Sequence, residues 1–146
     1  MIRMLQGDDE AQWRALWTEY LDFDGSTLDS TIHDRTWARL LKEGDPMHGA
    51  LALAGGEAVG FVHYIFHPST WSLGDSCYLQ DLFVAPKARG KGYGRALITH
   101  VCAEAATVGS SRVYWQTQAD NATAIALYEK VAERSGYIQF RKSVPS

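Results

Sequence analysis

Apolar residues recur three and four positions apart at Trp13, Leu16, Trp17 and Tyr20, the period of one helix face. Asp8 or Asp9 stands where a capping side chain would open that helix. A short strand is expected before it at 2–6, and a second helix at 28–42, stopped by Gly44-Asp45-Pro46. Between the helices lies a polar connection containing Asp22, Asp24, Gly25 and Ser26. Two apolar runs at 49–54 and 58–66 flank Gly55-Gly56-Glu57, a hairpin signal. A strand is expected at 78–84 and a helix at 96–107. Residues 112–118 alternate Val113, Trp115 and Thr117 against Tyr114, Gln116 and Gln118, as a half-buried strand does. A helix over 121–134, closed by Gly136, and a last strand over 137–142 complete the pattern. This order implies a mixed sheet with helices on both faces.

The strand at 78–84 and the helix at 96–107 are joined by Arg89-Gly90-Lys91-Gly92-Tyr93-Gly94-Arg95. Glycines let backbone N–H groups approach an anion without a Cβ in the way. The helix that follows aims its positive end at the same place. Arg89, Lys91 and Arg95 add charge for more than one phosphate. The spacing is neither the Gly-x-x-x-x-Gly-Lys-Ser/Thr of a P-loop nor the Gly-x-Gly-x-x-Gly of a dinucleotide site. A Gly-rich basic turn can also be a plain surface loop, so the segment needs its context.

Composition narrows that context. A chain of 146 residues has room for one core. A net charge of −3 with no long basic run argues against a nonspecific nucleic-acid binder. No apolar stretch approaches the roughly 18 residues of a membrane span, and residues 1–8 lack the apolar region of a secretory signal. Cys77 and Cys102 have no metal or redox spacing and read as buried free thiols. A cytoplasmic protein without a metal is expected.

The segment Val84-Ala85-Pro86-Lys87-Ala88-Arg89-Gly90-Lys91-Gly92-Tyr93-Gly94 resembles the acetyl-coenzyme A signature of the GNAT N-acetyltransferases. Asn121-Ala122-Thr123-Ala124-Ile125-Ala126-Leu127-Tyr128 resembles the second signature of that family. The run from Tyr78 to Val84 and the aromatic residues Tyr64, Phe66 and Trp71 are most similar to its polyamine, thialysine and histone/polyamine branch. The resemblance implies one N-acetyltransferase domain over 1–146. It also implies an α+β, three-layer fold with a mixed sheet of about six to seven strands, splayed between 78–84 and 112–118. Acetyl-CoA would be the co-substrate. Its pyrophosphate would lie on Arg89, Gly90, Lys91, Gly92, Tyr93, Gly94 and Arg95, and its peptide-like pantetheine on the strand edge at Leu82, Phe83 and Val84. An N–H in the gap would stabilise the oxyanion of the tetrahedral intermediate. Asn121 would anchor the pantetheine end or cap its helix. Tyr128, two turns further along the same face, would protonate the leaving thiolate. Relatives often pair through the C-terminal strand region, which implies a homodimer.

The amine must shed a proton before it attacks. The family places a glutamate at the position of Gln80 or of Gln116, and both are glutamine here. Gln80 and Gln116 would therefore orient the amine or a water while the proton leaves through solvent. Strand alternation sends Asp81 to the face opposite Gln80, and His63 or His67 can act through water. Tyr20, Asp22 and Trp71, with Glu19, Phe23 and Asp24, form either an anionic, aromatic wall for a cationic amine or a solvated acidic helix end. The acceptor expected first is a polyamine, lysine-like or other small amine. A protein lysine comes second and an aminoglycoside third. A noncatalytic acetyl-CoA sensor is the contrasting class.

Overall fold

The structure, a computed structural model, describes residues 1–145; the domain expected over 1–146 ends one residue outside them. By compactness the chain forms two units, Met1–Gln116 and the remainder from Thr117. The first holds a sheet of β1 (Ile2–Met4), β2 (Met47–Ala54), β3 (Glu57–His67), β4 (Ser76–Val84) and β5 (Arg112–Tyr114) in that spatial order. It also holds helices α1 (Glu10–Asp24), α2 (Ser30–Leu41) and α3 (Tyr93–Thr107). The second unit holds α4 (Ala122–Val131). The first four strands pair antiparallel in sequence and β4 pairs β5 in parallel, so the sheet is mixed.

Helices cover both faces of this sheet. Trp13, Leu16, Trp17 and Leu21 of α1 and Trp37 of α2 bury against Leu51, Leu53, Phe61 and Phe83. On the other face Leu97, Ile98, Val101 and Ala105 of α3 are buried, and His100 meets the ring of Tyr64. The α+β architecture agrees with the periodicities, and each strand of the 55–56 hairpin lies within two residues of its expected bounds.

Five strands form among the described residues, not six to seven. The alternation at 112–118 yields a strand only over Arg112–Tyr114, and residues 137–142 form none. Alternation marks which residues suit a pleat, but a strand exists only where a partner supplies its hydrogen bonds. The last helix stops at Val131, before the expected 134, with extended backbone at Ala132. Cys77 is buried, and burial pushes its thiol up to about 12, but Cys102 faces solvent from α3.

Asp9 precedes α1 as expected, yet its carboxylate makes no cap. It takes two bonds from the Arg3 guanidinium, at 2.7 and 2.8 Å, and one from the Gln6 N–H at 2.8 Å. The Arg3 bonds, chiefly, hold the Asp9 carboxyl below its ordinary value. A carboxyl lowered by folding adds stability above its unfolded pKa, about 4, and loses it as pH falls. Arg3→Met leaves this buried charge unpaired and is expected to cost about 2–3 kcal/mol. Urea unfolding should find that deficit at pH 7 and find it shrinking towards pH 3.

Candidate active site

The loop after β4 has the geometry of an anion cradle. A 3₁₀ turn at Pro86–Ala88 leads into Arg89, and Gly90 and Gly92 take φ of 77° and 87°. A Cβ at either glycine would meet open space, so backbone conformation and not crowding requires glycine there. Gly92 opens α3, whose first intrahelical bond runs from the Ala96 N–H to the Gly92 carbonyl. The N–H groups of Tyr93, Gly94 and Arg95 therefore have no carbonyl one turn back within the helix. Lys91 and Arg95 are exposed beside them. Arg89 is folded back: its Nε donates to the Val84 carbonyl at 3.0 Å, and its guanidinium lies 5.3 Å from the Phe23 ring centre and 5.8 Å from that of Phe83. Gly92→Val forces a β-branched residue into left-handed backbone at about 1–2 kcal/mol or more. Urea unfolding is expected to show that cost as a lowered midpoint.

The edge of β4 is open where the resemblance needs it. Its ladder with β5 runs only from Ser76–Arg112 to Tyr78–Tyr114, so Leu79 to Val84 have no strand on that side among the described residues. Across β4 the pairing with β3 skips Gln80: His63 stands opposite Asp81, and Tyr64 opposite Leu79. Such a bulge re-aims side chains locally. Gln80 is exposed, while the side chain of Asp81 is only 15% exposed.

Asp81 is the residue that strand alternation undervalued. Its Oδ2 lies 2.9 Å from His63 Nδ1, and its Oδ1 accepts from the Tyr20 hydroxyl at 2.9 Å. His63 Nε2 accepts from the Trp13 indole N–H at 2.9 Å. An indole N–H only donates, so Nε2 carries no proton and the ring's proton sits on Nδ1, facing Asp81. His63 is thus a neutral donor locked into one tautomer, which corrects the idea of it as a base. The second histidine is engaged as well: His67 Nε2 meets the Tyr114 hydroxyl at 2.7 Å and its Nδ1 the Pro68 carbonyl at 2.8 Å.

A cavity of ≈ 190 Å³ opens on Asp81, Gln80 and His63. Its apolar wall comes from Trp17, Leu28, Ile32, Leu40, Met47 and Ile65. Of the residues proposed for the acceptor, Tyr20 reaches this place through Asp81. Asp22 is exposed on α1, and Trp71, 91% exposed in the turn after β3, does not line the cavity. Gln116 lies beyond the end of β5 and is exposed. In the second unit Asn121 caps α4, its side chain accepting from the Ala124 N–H at 3.2 Å. Tyr128 is half-buried on that helix, and burial raises its phenol above the ordinary value.

The model of the acetyltransferase (GNAT) family matches residues 9–132. The chain belongs to that family. The acetyltransferase is 34% identical over 145 residues to the D-amino-acid N-acetyltransferase HPA3 of Saccharomyces cerevisiae, covering 98% of this chain and 90% of the relative. It is 32% identical over 101 residues to the thialysine N-epsilon-acetyltransferase of Caenorhabditis elegans, covering 69% of this chain and 60% of that one. Its fold is shared with the aminoglycoside acetyltransferase AAC(6')-Iy in complex with a coenzyme A bisubstrate analogue. The TM-score is 0.84 at 18% identity, over 99% of this chain and 98% of the other. Among the described residues of this acetyltransferase no cluster suits a metal ion, and no helix is long and apolar enough to cross a membrane.

Proposed function

We propose that this acetyltransferase moves the acetyl group of acetyl-CoA to a primary amine by direct attack. The observation that carries the proposal is the continuity of one strand. β4 presents Asp81 to the cavity, leaves its edge open from Leu79 to Val84, and runs straight into the glycine loop. Pyrophosphate fits the N–H groups from Gly90 to Arg95, where open space lies over Gly90 and Gly92. The pantetheine amides would pair with the open edge at Leu82, Phe83 and Val84, as an added strand does.

Asp81 holds the incoming ammonium. Two neutral donors, His63 and Tyr20, fix its carboxylate, which keeps lone pairs for the substrate. The ammonium gives its proton to water at the exposed Gln80, and the free amine nitrogen attacks the thioester carbonyl carbon. A β4 N–H stabilises the oxyanion. The tetrahedral intermediate then collapses, the C–S bond breaks, and Tyr128, which like any phenol carries its proton at neutral pH, gives it to the thiolate, while the attacking nitrogen sheds its remaining extra proton to water and water restores the phenol. The products are an N-acetyl amine and coenzyme A.

The names of the relatives, which act on D-amino acids and thialysine, favour a small amine as acceptor. A cytoplasmic homodimer is the proposed setting, with the exposed Tyr137, Ile138 and Phe140 as apolar surface for pairing. Incubation with isotopically labelled acetyl-CoA and a panel of primary amines tests the reading. Label transferred to an amine nitrogen supports it, and tight binding of acetyl-CoA without transfer supports the sensor instead.

A further inference from the structure

The cavity on Asp81 has one carboxylate and a mostly apolar wall. Leu28, Leu40, Met47 and Ile65 are only half-buried, and Ile32 is 45% exposed, so apolar surface is left for something to cover. Neither a second carboxylate nor a lysine or arginine lines the cavity among the described residues. His48, on the same wall, has its pKa lowered chiefly by burial; Asp45 and Glu104, which oppose that shift, line a neighbouring cavity and not this one. The cavity offers a single anchor for a single ammonium. A second ammonium placed against the aliphatic wall would lose its hydration and gain no partner.

From this, and resting on the amine reading above, we infer that the acceptor is a compact amine with an apolar body, its ammonium on Asp81 and its body against Ile32, Leu40, Met47 and Ile65. The same wall disfavours amines with a second cationic group. The specificity follows from what the wall lacks as much as from what it holds. An unpaired charge is rejected strongly, while a missing methyl group costs little.

The test compares matched pairs: 3-methylbutylamine against pentane-1,5-diamine, and D-leucine against D-lysine. In each pair kcat/KM is expected to be at least tenfold higher for the apolar member. Ile32→Glu puts a carboxylate on the exposed rim of the wall and is expected to narrow or reverse that ratio, chiefly through KM. A wild-type enzyme that acetylates the diamine and D-lysine as well as, or better than, their apolar partners overturns the inference and leaves the amine reading standing. No N-acetyl product from any primary amine, with acetyl-CoA left intact, overturns the amine reading and the inference with it. Circular dichroism of the Ile32→Glu variant separates misfolding from specificity, and the wild-type comparison decides the matter alone if that variant does not fold.

Discussion

Asp81→Asn is expected to raise the KM for the amine roughly 10- to 150-fold with kcat much less affected. A hydrogen bond to a charged group is worth about 1.5–3 kcal/mol, and an amide cannot hold an ammonium as a carboxylate does. The substitution is close in shape. Its carbonyl can still accept from His63 Nδ1, and its NH2 can face the Tyr20 hydroxyl, so the packing around Trp13 is preserved. The pH dependence separates two roles. If Asp81 anchors the ammonium while water takes the proton, kcat/KM of both forms climbs with pH towards the pKa of the amine itself, and the variant's curve lies parallel below. If Asp81 were the base, the variant would lose a limb of the profile. A KM within twofold of wild type would remove Asp81 from the acceptor site.

Tyr128→Phe is expected to lower kcat about 100-fold, the lower end of what a positioned proton donor contributes, with both KM values unchanged. An ordinary phenol already carries its proton at neutral pH, and burial raises the pKa of this one further, so Tyr128 enters the step with a proton to give. Loss of the hydroxyl leaves the ring, and with it the packing of α4. A kcat within threefold of wild type would mean that water protonates the thiolate and that Tyr128 is a packing residue.

The placement of these two residues was not equally legible in the sequence. Tyr128 could be singled out because it lies seven residues from Asn121 in a recognisable segment, a local relation that a helix preserves. The glycine loop was legible for the same reason: Gly90 and Gly92 mark left-handed backbone between a strand and a helix, and both have it. Asp81 was misjudged because its partners are remote. Trp13, Tyr20 and His63 lie 68, 61 and 18 residues before it, on α1 and β3, which meet β4 only in the folded unit. Alternation separated Asp81 from Gln80, and the resemblance drew attention to the glutamine. The bulge at Gln80 is set by the pairing of β3 with β4, which no single strand encodes. The alternation over 112–118 failed in the opposite sense, because a pleated pattern was present without a complete ladder, and the strand expected over 137–142 has no ladder at all.

Both substitutions presuppose that amine and acetyl-CoA are on the enzyme together. Initial rates measured over a grid of both concentrations, with the N-acetyl product quantified by mass, test this most directly. Intersecting double-reciprocal lines and one N-acetyl amine per coenzyme A released are expected. Parallel lines, the mark of an acetylated enzyme intermediate, or coenzyme A release without acetylated amine would contradict direct transfer.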